Sequence, residues 1–169
     1  MLFHRNGFQS VEEIRRGQLT TIGNLRVRAT HARHNSVRSP FSLAASCLGF
    51  IIQGAYSIYF PGDTDIFPGM ARLADHLDVA LLPIWGWGPT LGPGHMNPAV
   101  AATALTLLNP RLAIPIHWGT LHPSGLGRLN PRRFLTEPPH RFARLAAQVA
   151  PTVEVCIVPP GGSVSFNAA

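Results

Sequence analysis

Four short segments of this chain carry histidine or aspartate where a strand is expected to end: Thr30-His-Ala-Arg-His34, Phe60-Pro-Gly-Asp-Thr-Asp65, Gly94-His-Met-Asn-Pro98 and Ile114-Pro-Ile-His-Trp-Gly-Thr120. Neutral imidazole and carboxylate are the donors that a borderline cation such as Zn²⁺ accepts. Gly62 lets the backbone turn sharply, so that Asp63 projects from its strand end, and Gly119 opens the turn after His117. His95 stands just ahead of a helix N-terminus. Each segment alone has a plainer reading. A lone histidine at a strand end is more often a surface or hydrogen-bonded core residue, and an aspartate after glycine is more often a turn residue. Four such segments in one small chain favour a shared metal site.

The elements that must position these residues follow from hydrophobic periodicity. Leu25 to Thr30 alternates as a half-exposed strand does, and Ser46 to Gln53 with Tyr56 to Phe60 reads as a hairpin turning at Gly54. Asp78 to Pro83 and Arg111 to Ile116 are short and almost wholly apolar, as strands buried on both faces are. Val153 to Val158 and Ser163 to Phe166 read as a closing hairpin around Pro159-Pro-Gly-Gly162. Asn97 is an N-cap ahead of Pro98 and an Ala-rich helix that stops at Asn109-Pro110. His140 to Val149 has helical spacing, and Phe67 to Leu77 is expected to hold a shorter helix. Strand and helix alternate after residue 60, which indicates a layered α/β class.

Composition narrows the function classes. The 169 residues are 46% hydrophobic and 13% charged, enough apolar matter for a real core. No apolar run reaches the ~20 residues of a membrane span. Neither an internal repeat nor a low-complexity linker divides the chain, which is read as one domain over residues 1–169. The N-terminus has no basic stretch followed by a long apolar one, so the expected location is cytoplasmic. The formal charge is +6, carried entirely by arginine among the basic residues. These arginines are dispersed rather than gathered in a stripe, which argues against nucleic acid as a partner except as a substrate. Cys47 and Cys156 lie in apolar runs without C-x-x-C spacing and are expected to be buried free thiols.

The order of these segments, Gly-Asp-Thr after a hairpin, Leu-Leu-Pro-Ile, Gly-His-Met-Asn-Pro with an Ala-rich helix, then Ile-Pro-Ile-His-Trp-Gly-Thr, resembles the metallo-β-lactamase superfamily. The nearest likeness is to the branch that contains ascorbate-6-phosphate lactonase and N-acyl-phosphatidylethanolamine phospholipase D. The resemblance implies an αβ/βα sandwich and a metal-dependent hydrolase that cuts a phosphodiester, lactone or related ester through a metal-bound hydroxide. It implies metal ligation by His34, Asp63 and His117, with Asp63 bridging two ions, and a hydrogen-bonding or acid role for His95. The implied ion is Zn²⁺, two per site in full-length relatives, with Mn²⁺ or Fe²⁺ able to use the same donors.

One family feature is missing from the sequence. The signature His-x-His-x-Asp-His occurs nowhere in it, so the chain resembles an N-terminally truncated sandwich. With that signature absent, each of two ions would keep one histidine and one oxygen of Asp63. A single ion would need His34, Asp63 and His117 to converge. The alternative reading is a non-catalytic or degenerate fragment that binds at most one metal or a partner chain. Loss of the first half is expected to expose Ile51-Ile52 and Leu81-Leu82 and to favour self-association. A small-molecule or phospho-ester substrate is expected, with the Trp85-Gly-Trp-Gly88 loop lining its pocket and Trp118 packing in the core or at its rim.

Overall fold

The computed structural model describes residues 5–34, 46–73, 76–86, 91–120 and 131–165. Its centre is a seven-stranded sheet in which β1 (Leu19–Ile22), β2 (Leu25–His31), β3 (Leu48–Gln53), β4 (Ser57–Phe60), β5 (Val79–Pro83), β6 (Leu112–Ile116) and β7 (Glu154–Val155) lie side by side in sequence order. Pairing is antiparallel from β1 to β4 and parallel from β4 to β7. A parallel pair needs a crossover. A 3-10 turn (Pro68–Arg72), α1 (Pro98–Leu108) and α2 (Pro131–Val149) stand between β4 and β5, β5 and β6, and β6 and β7 respectively.

The strand registers set Ile51, Tyr59, Ala80 and Ala113 in one row across β3 to β6, and all four are 0% exposed. Onto this row α1 lays Ala101, Leu105 and Leu108, and α2 lays Phe142 and Ala146, all within one apolar cluster. Crossovers of one hand that step the same way across a sheet leave their helices on one face. The opposite face is thinner: Ile52 and Leu81 on it are half-buried, and Ile22, Leu25 and Phe60 are exposed. The expected exposure of Ile51-Ile52 and Leu81-Leu82 is therefore corrected residue by residue. Alternation sends Ile51 and Leu82 under this chain's own helices, and only Ile52 and Leu81 face the other way.

Several boundaries also differ from expectation. β1 was not anticipated, because Leu-Thr-Thr-Ile is short and its apolar ends are exposed. The Phe67 to Leu77 helix is a single 3-10 turn over Pro68–Arg72. α2 begins at Pro131, nine residues before His140, and runs through Pro138 and Pro139. The closing hairpin does not form among the described residues: β7 is two residues long, and 163–165 are not strand. Cys47 and Cys156 form no disulfide among the described residues and are half-buried rather than buried. None of the helices among the described residues is long and apolar enough to cross a membrane.

Asp78 ties together the starting ends of three strands. Its carboxylate accepts from the Ser57 backbone N–H at 2.8 Å and from Arg111 Nη1 at 3.2 Å, while its backbone N–H donates to Ser57 O and its carbonyl accepts from Leu112 N. The Ser57 N–H holds this carboxyl below its ordinary value of 3.8, burial opposes that, and Arg111 and His76 add to the lowering. A carboxylate depressed in this way stabilises the fold above its ordinary value, and the contribution is lost as pH falls through its lowered one. Asp78→Ala is expected to cost about 1–3 kcal/mol at neutral pH, because Ser57 N–H and Arg111 lose their acceptor. Urea unfolding at descending pH should show the gap between wild type and variant closing below about pH 4.

At the start of α1, Asn97 Oδ1 accepts from Ala99 N and Val100 N, each at 3.0 Å. At its end Asn109 takes the left-handed conformation, φ 42°, and donates its N–H to Leu105 O. Asn97→Ala should lower stability by about 1 kcal/mol, read as a shift in the urea midpoint with an unchanged slope.

Candidate metal centre

β3 lies antiparallel to both β2 and β4, so β2, β4, β5 and β6 all run in one direction. Their C-terminal ends share one edge of the sheet. His34, Asp63, His95 and His117 each follow one of these four strands. The antiparallel β3 contributes none.

The first two segments are stitched together. Arg33 N donates to Thr64 Oγ1 at 2.8 Å, and Asp65 N donates to Arg33 O at 2.8 Å. Thr64 is fully buried, so this link between the His34 and Asp63 segments is shielded from water. Gly62 has φ +66°, the left-handed conformation that releases Asp63 from the strand direction. Gly49 on β3 is needed for close approach: a Cβ there would lie 2.8 Å from the Pro61 Cα.

Prolines mark the exits of the other two strands. Pro83 ends β5, and Pro115 is the penultimate residue of β6, where its missing N–H weakens the ladder. The Pro115 carbonyl accepts from Trp118 Nε1 at 2.9 Å, which closes the turn around His117. His117 itself has φ 61°, a left-handed conformation that costs a non-glycine residue about 1–3 kcal/mol. Its Nδ1 is 2.6 Å from the Trp85 carbonyl at the end of β5. His95 has Nδ1 3.1 Å from the Gly92 carbonyl, and His34 has Nδ1 3.1 Å from the Gly94 carbonyl.

All three imidazoles reach one atom. Asp63 Oδ2 is 3.3 Å from His95 Nε2, 3.7 Å from His117 Nε2 and 3.8 Å from His34 Nδ1. The rings of His34 and His95 meet edge to face, with centroids 4.8 Å apart. For His95 and His117, an Nδ1–H given to a carbonyl leaves the Nε2 lone pair aimed at the carboxylate. That is how a second partner orients a metal-ligating histidine. Asp63 Oδ1 is buried and has no hydrogen-bond partner among the described residues. A carboxylate with one oxygen orphaned and the other faced by three imidazole nitrogens is a donor set that fits a divalent cation.

Sequence reasoning named His34, Asp63 and His117 as ligands, with His95 apart from them. The structure brings all four together. The tightest group is His34, Asp63 and His95, whose ligand atoms lie within 4.8 Å of one another, while His117 approaches from the more exposed side. His31 stands outside the cluster, edge-on to Phe67; burial lowers its pKa, and Arg16 and Arg33 add to that. Trp85 and Trp118 pack against the core, and Trp87 and Gly88 lie outside the described residues. The carbonyls of Trp85, Gly92 and Gly94 had no sequence signal, since backbone acceptors carry no residue identity.

Comparison with known proteins gives the family of the chain. Residues 2–118 match the family model described as beta-lactamase superfamily domain, and the chain belongs to that family. A UPF0173 metal-dependent hydrolase of Methanopyrus kandleri is 31% identical over 163 residues, 93% of this chain and 64% of that protein. One of Thermococcus kodakarensis is 34% identical over 146 residues, 84% of this chain and 56% of that protein. The chain spans about half to two thirds of the length of such relatives. Among solved structures, Igni18, a metallo hydrolase of Ignicoccus hospitalis, superposes with a TM-score of 0.72 at 24% identity, covering 99% of this chain and 65% of its own. CmlA, a diiron β-hydroxylase of Streptomyces venezuelae, gives 0.66 at 15% identity, covering 92% of this chain and 35% of its own. Both likenesses are of fold.

The strained turn yields a prediction with opposite signs on two measurements. His117→Gly should leave the thermal midpoint unchanged or raised, because glycine adopts φ near +60° without penalty. Zn²⁺ affinity by calorimetry should fall at least tenfold in the same variant.

Proposed function

We propose that this chain carries part of the metal centre of a metal-dependent hydrolase of the metallo-β-lactamase fold, acting on a phosphodiester, lactone or related ester. The observation that carries this reading is the convergence of three imidazoles on Asp63 Oδ2 at 3.3, 3.7 and 3.8 Å. His34, Asp63 and His95 would hold one ion, and His117 would complete its ligand set or bind a second ion across Asp63. Zn²⁺ suits this mixture of nitrogen and oxygen donors, and Mn²⁺ or Fe²⁺ can use it as well. When bound, the cation would supply Lewis acidity and a water activated near neutral pH.

The chain's own residues would do the rest. Asp63 would offer Oδ2, which the imidazoles face, with the unpartnered Oδ1 as a second donor. The Gly92 carbonyl fixes the His95 ring at Nδ1, which leaves Nε2 for the ion, and that side chain is only 11% exposed. Where His117 takes its place as a ligand beside Asp63, His95 would instead stand free to hydrogen-bond the substrate or hand a proton to its leaving group.

A second reading, a non-catalytic domain that binds at most one ion, is favoured by the lack of His-x-His-x-Asp-His in the sequence. Elemental analysis of the dialysed protein separates the two, together with turnover of bis(p-nitrophenyl) phosphate and of a simple lactone. The hydrolase reading expects about one ion or more per chain and chelator-sensitive turnover, both lost in Asp63→Ala. Retained metal without turnover would favour the second reading. Absence of metal from the wild type would overturn the proposed centre in this chain.

A further inference from the structure

A cavity of about 620 Å³ lies between one face of α2 and residues next to the candidate centre. Trp85 lines it while its carbonyl orients His117, and Pro98, which also lines it, follows His95 by three residues. The α2 residues on its wall recur at helical spacing, so they present one continuous face. Part of that face is apolar, from Phe134 and Leu145, and meets Trp85 and Pro98 across the cavity.

The charged part of the wall is unbalanced. It holds Arg133, Arg141 and Arg144 against the single carboxylate of Glu137. Glu137 is already engaged, with Oε1 2.6 Å from Arg144 Nη2. Arg133 and Arg141 form no ion pair among the described residues and are exposed. Eight residues of helix separate them by about 12 Å along the wall. A guanidinium fork matches carboxylate and phosphate oxygens in pairs, and apolar walls beside it favour a ligand with a hydrocarbon body.

We propose that this cavity binds the substrate of the neighbouring centre as an amphiphilic organic anion: an alkyl or aryl body along Trp85, Phe134 and Leu145, with a phosphate or carboxylate at Arg133 or Arg141. This rests on the hydrolase reading for the word substrate, but the binding itself requires no metal. The test is calorimetric titration of octyl phosphate, octanoate, 1-octanol and inorganic phosphate into the protein kept in chelator.

Octyl phosphate or octanoate should bind at least tenfold more tightly than 1-octanol and than inorganic phosphate. Arg133→Gln combined with Arg141→Gln should bring the anions to the level of the alcohol, with an unchanged thermal midpoint. The single variants identify which guanidinium is used, and octyl phosphate against octanoate identifies which anion is preferred. Equal binding of alcohol and anions, or full anion affinity in the double variant, overturns the proposal. Anion binding that survives in a protein unable to retain Zn²⁺ would sink the hydrolase reading and leave the cavity's ligand class standing.

Discussion

One carboxylate oxygen organises this molecule. Asp63 Oδ2 faces three imidazoles, and each is held by a backbone carbonyl, two of them from the single turn at Gly92 and Gly94. Bringing four polar side chains to one partly buried point requires backbone support on every side. The Arg33–Thr64 stitch, the Gly49–Pro61 contact and the Trp118–Pro115 bond each fix one approach. The common direction of β2, β4, β5 and β6 is what makes that convergence geometrically available, because ligands gather beyond the carboxyl ends of aligned strands.

The two ends of the sheet are built for different purposes. At the starting ends of β4, β5 and β6, Asp78 saturates its bonds with Ser57, Arg111 and Leu112. At the finishing ends, prolines thin the ladder and left-handed residues redirect the chain. Satisfied hydrogen bonds at one end offset the orphaned oxygen and the strained histidine at the other, as expected where function holds groups in unfavourable states.

Much of this was legible in the sequence, and the parts that were not have physical reasons. Buried parallel strands such as Val79–Pro83 and Leu112–Ile116 read clearly because both faces are apolar. Asn97-Pro98 gave the start of α1 to the residue, since cap chemistry is local. The Pro138-Pro139 pair hid the first half of α2: proline reads as a helix stop, yet tertiary packing carries this helix through. With it went the arginine-lined wall, which no motif marks. The closing hairpin failed for the opposite reason, because apolar content alone does not supply a pairing partner. His95 was recognised but set apart from the ligands, and only geometry reveals that its Nε2 makes the shortest approach to Asp63.

Strand order along the sheet repeats strand order along the chain from β1 to β7. A chain emerging from the ribosome therefore finds each strand's neighbour already made, and no strand has to wait for a later one to be inserted beside it. The sheet can grow by addition at a single moving edge, each crossover helix being made before the strand that follows it. The four site residues arrive in the same succession, so the last of them, His117 at the left-handed turn after β6, completes a cluster whose other members are already in place.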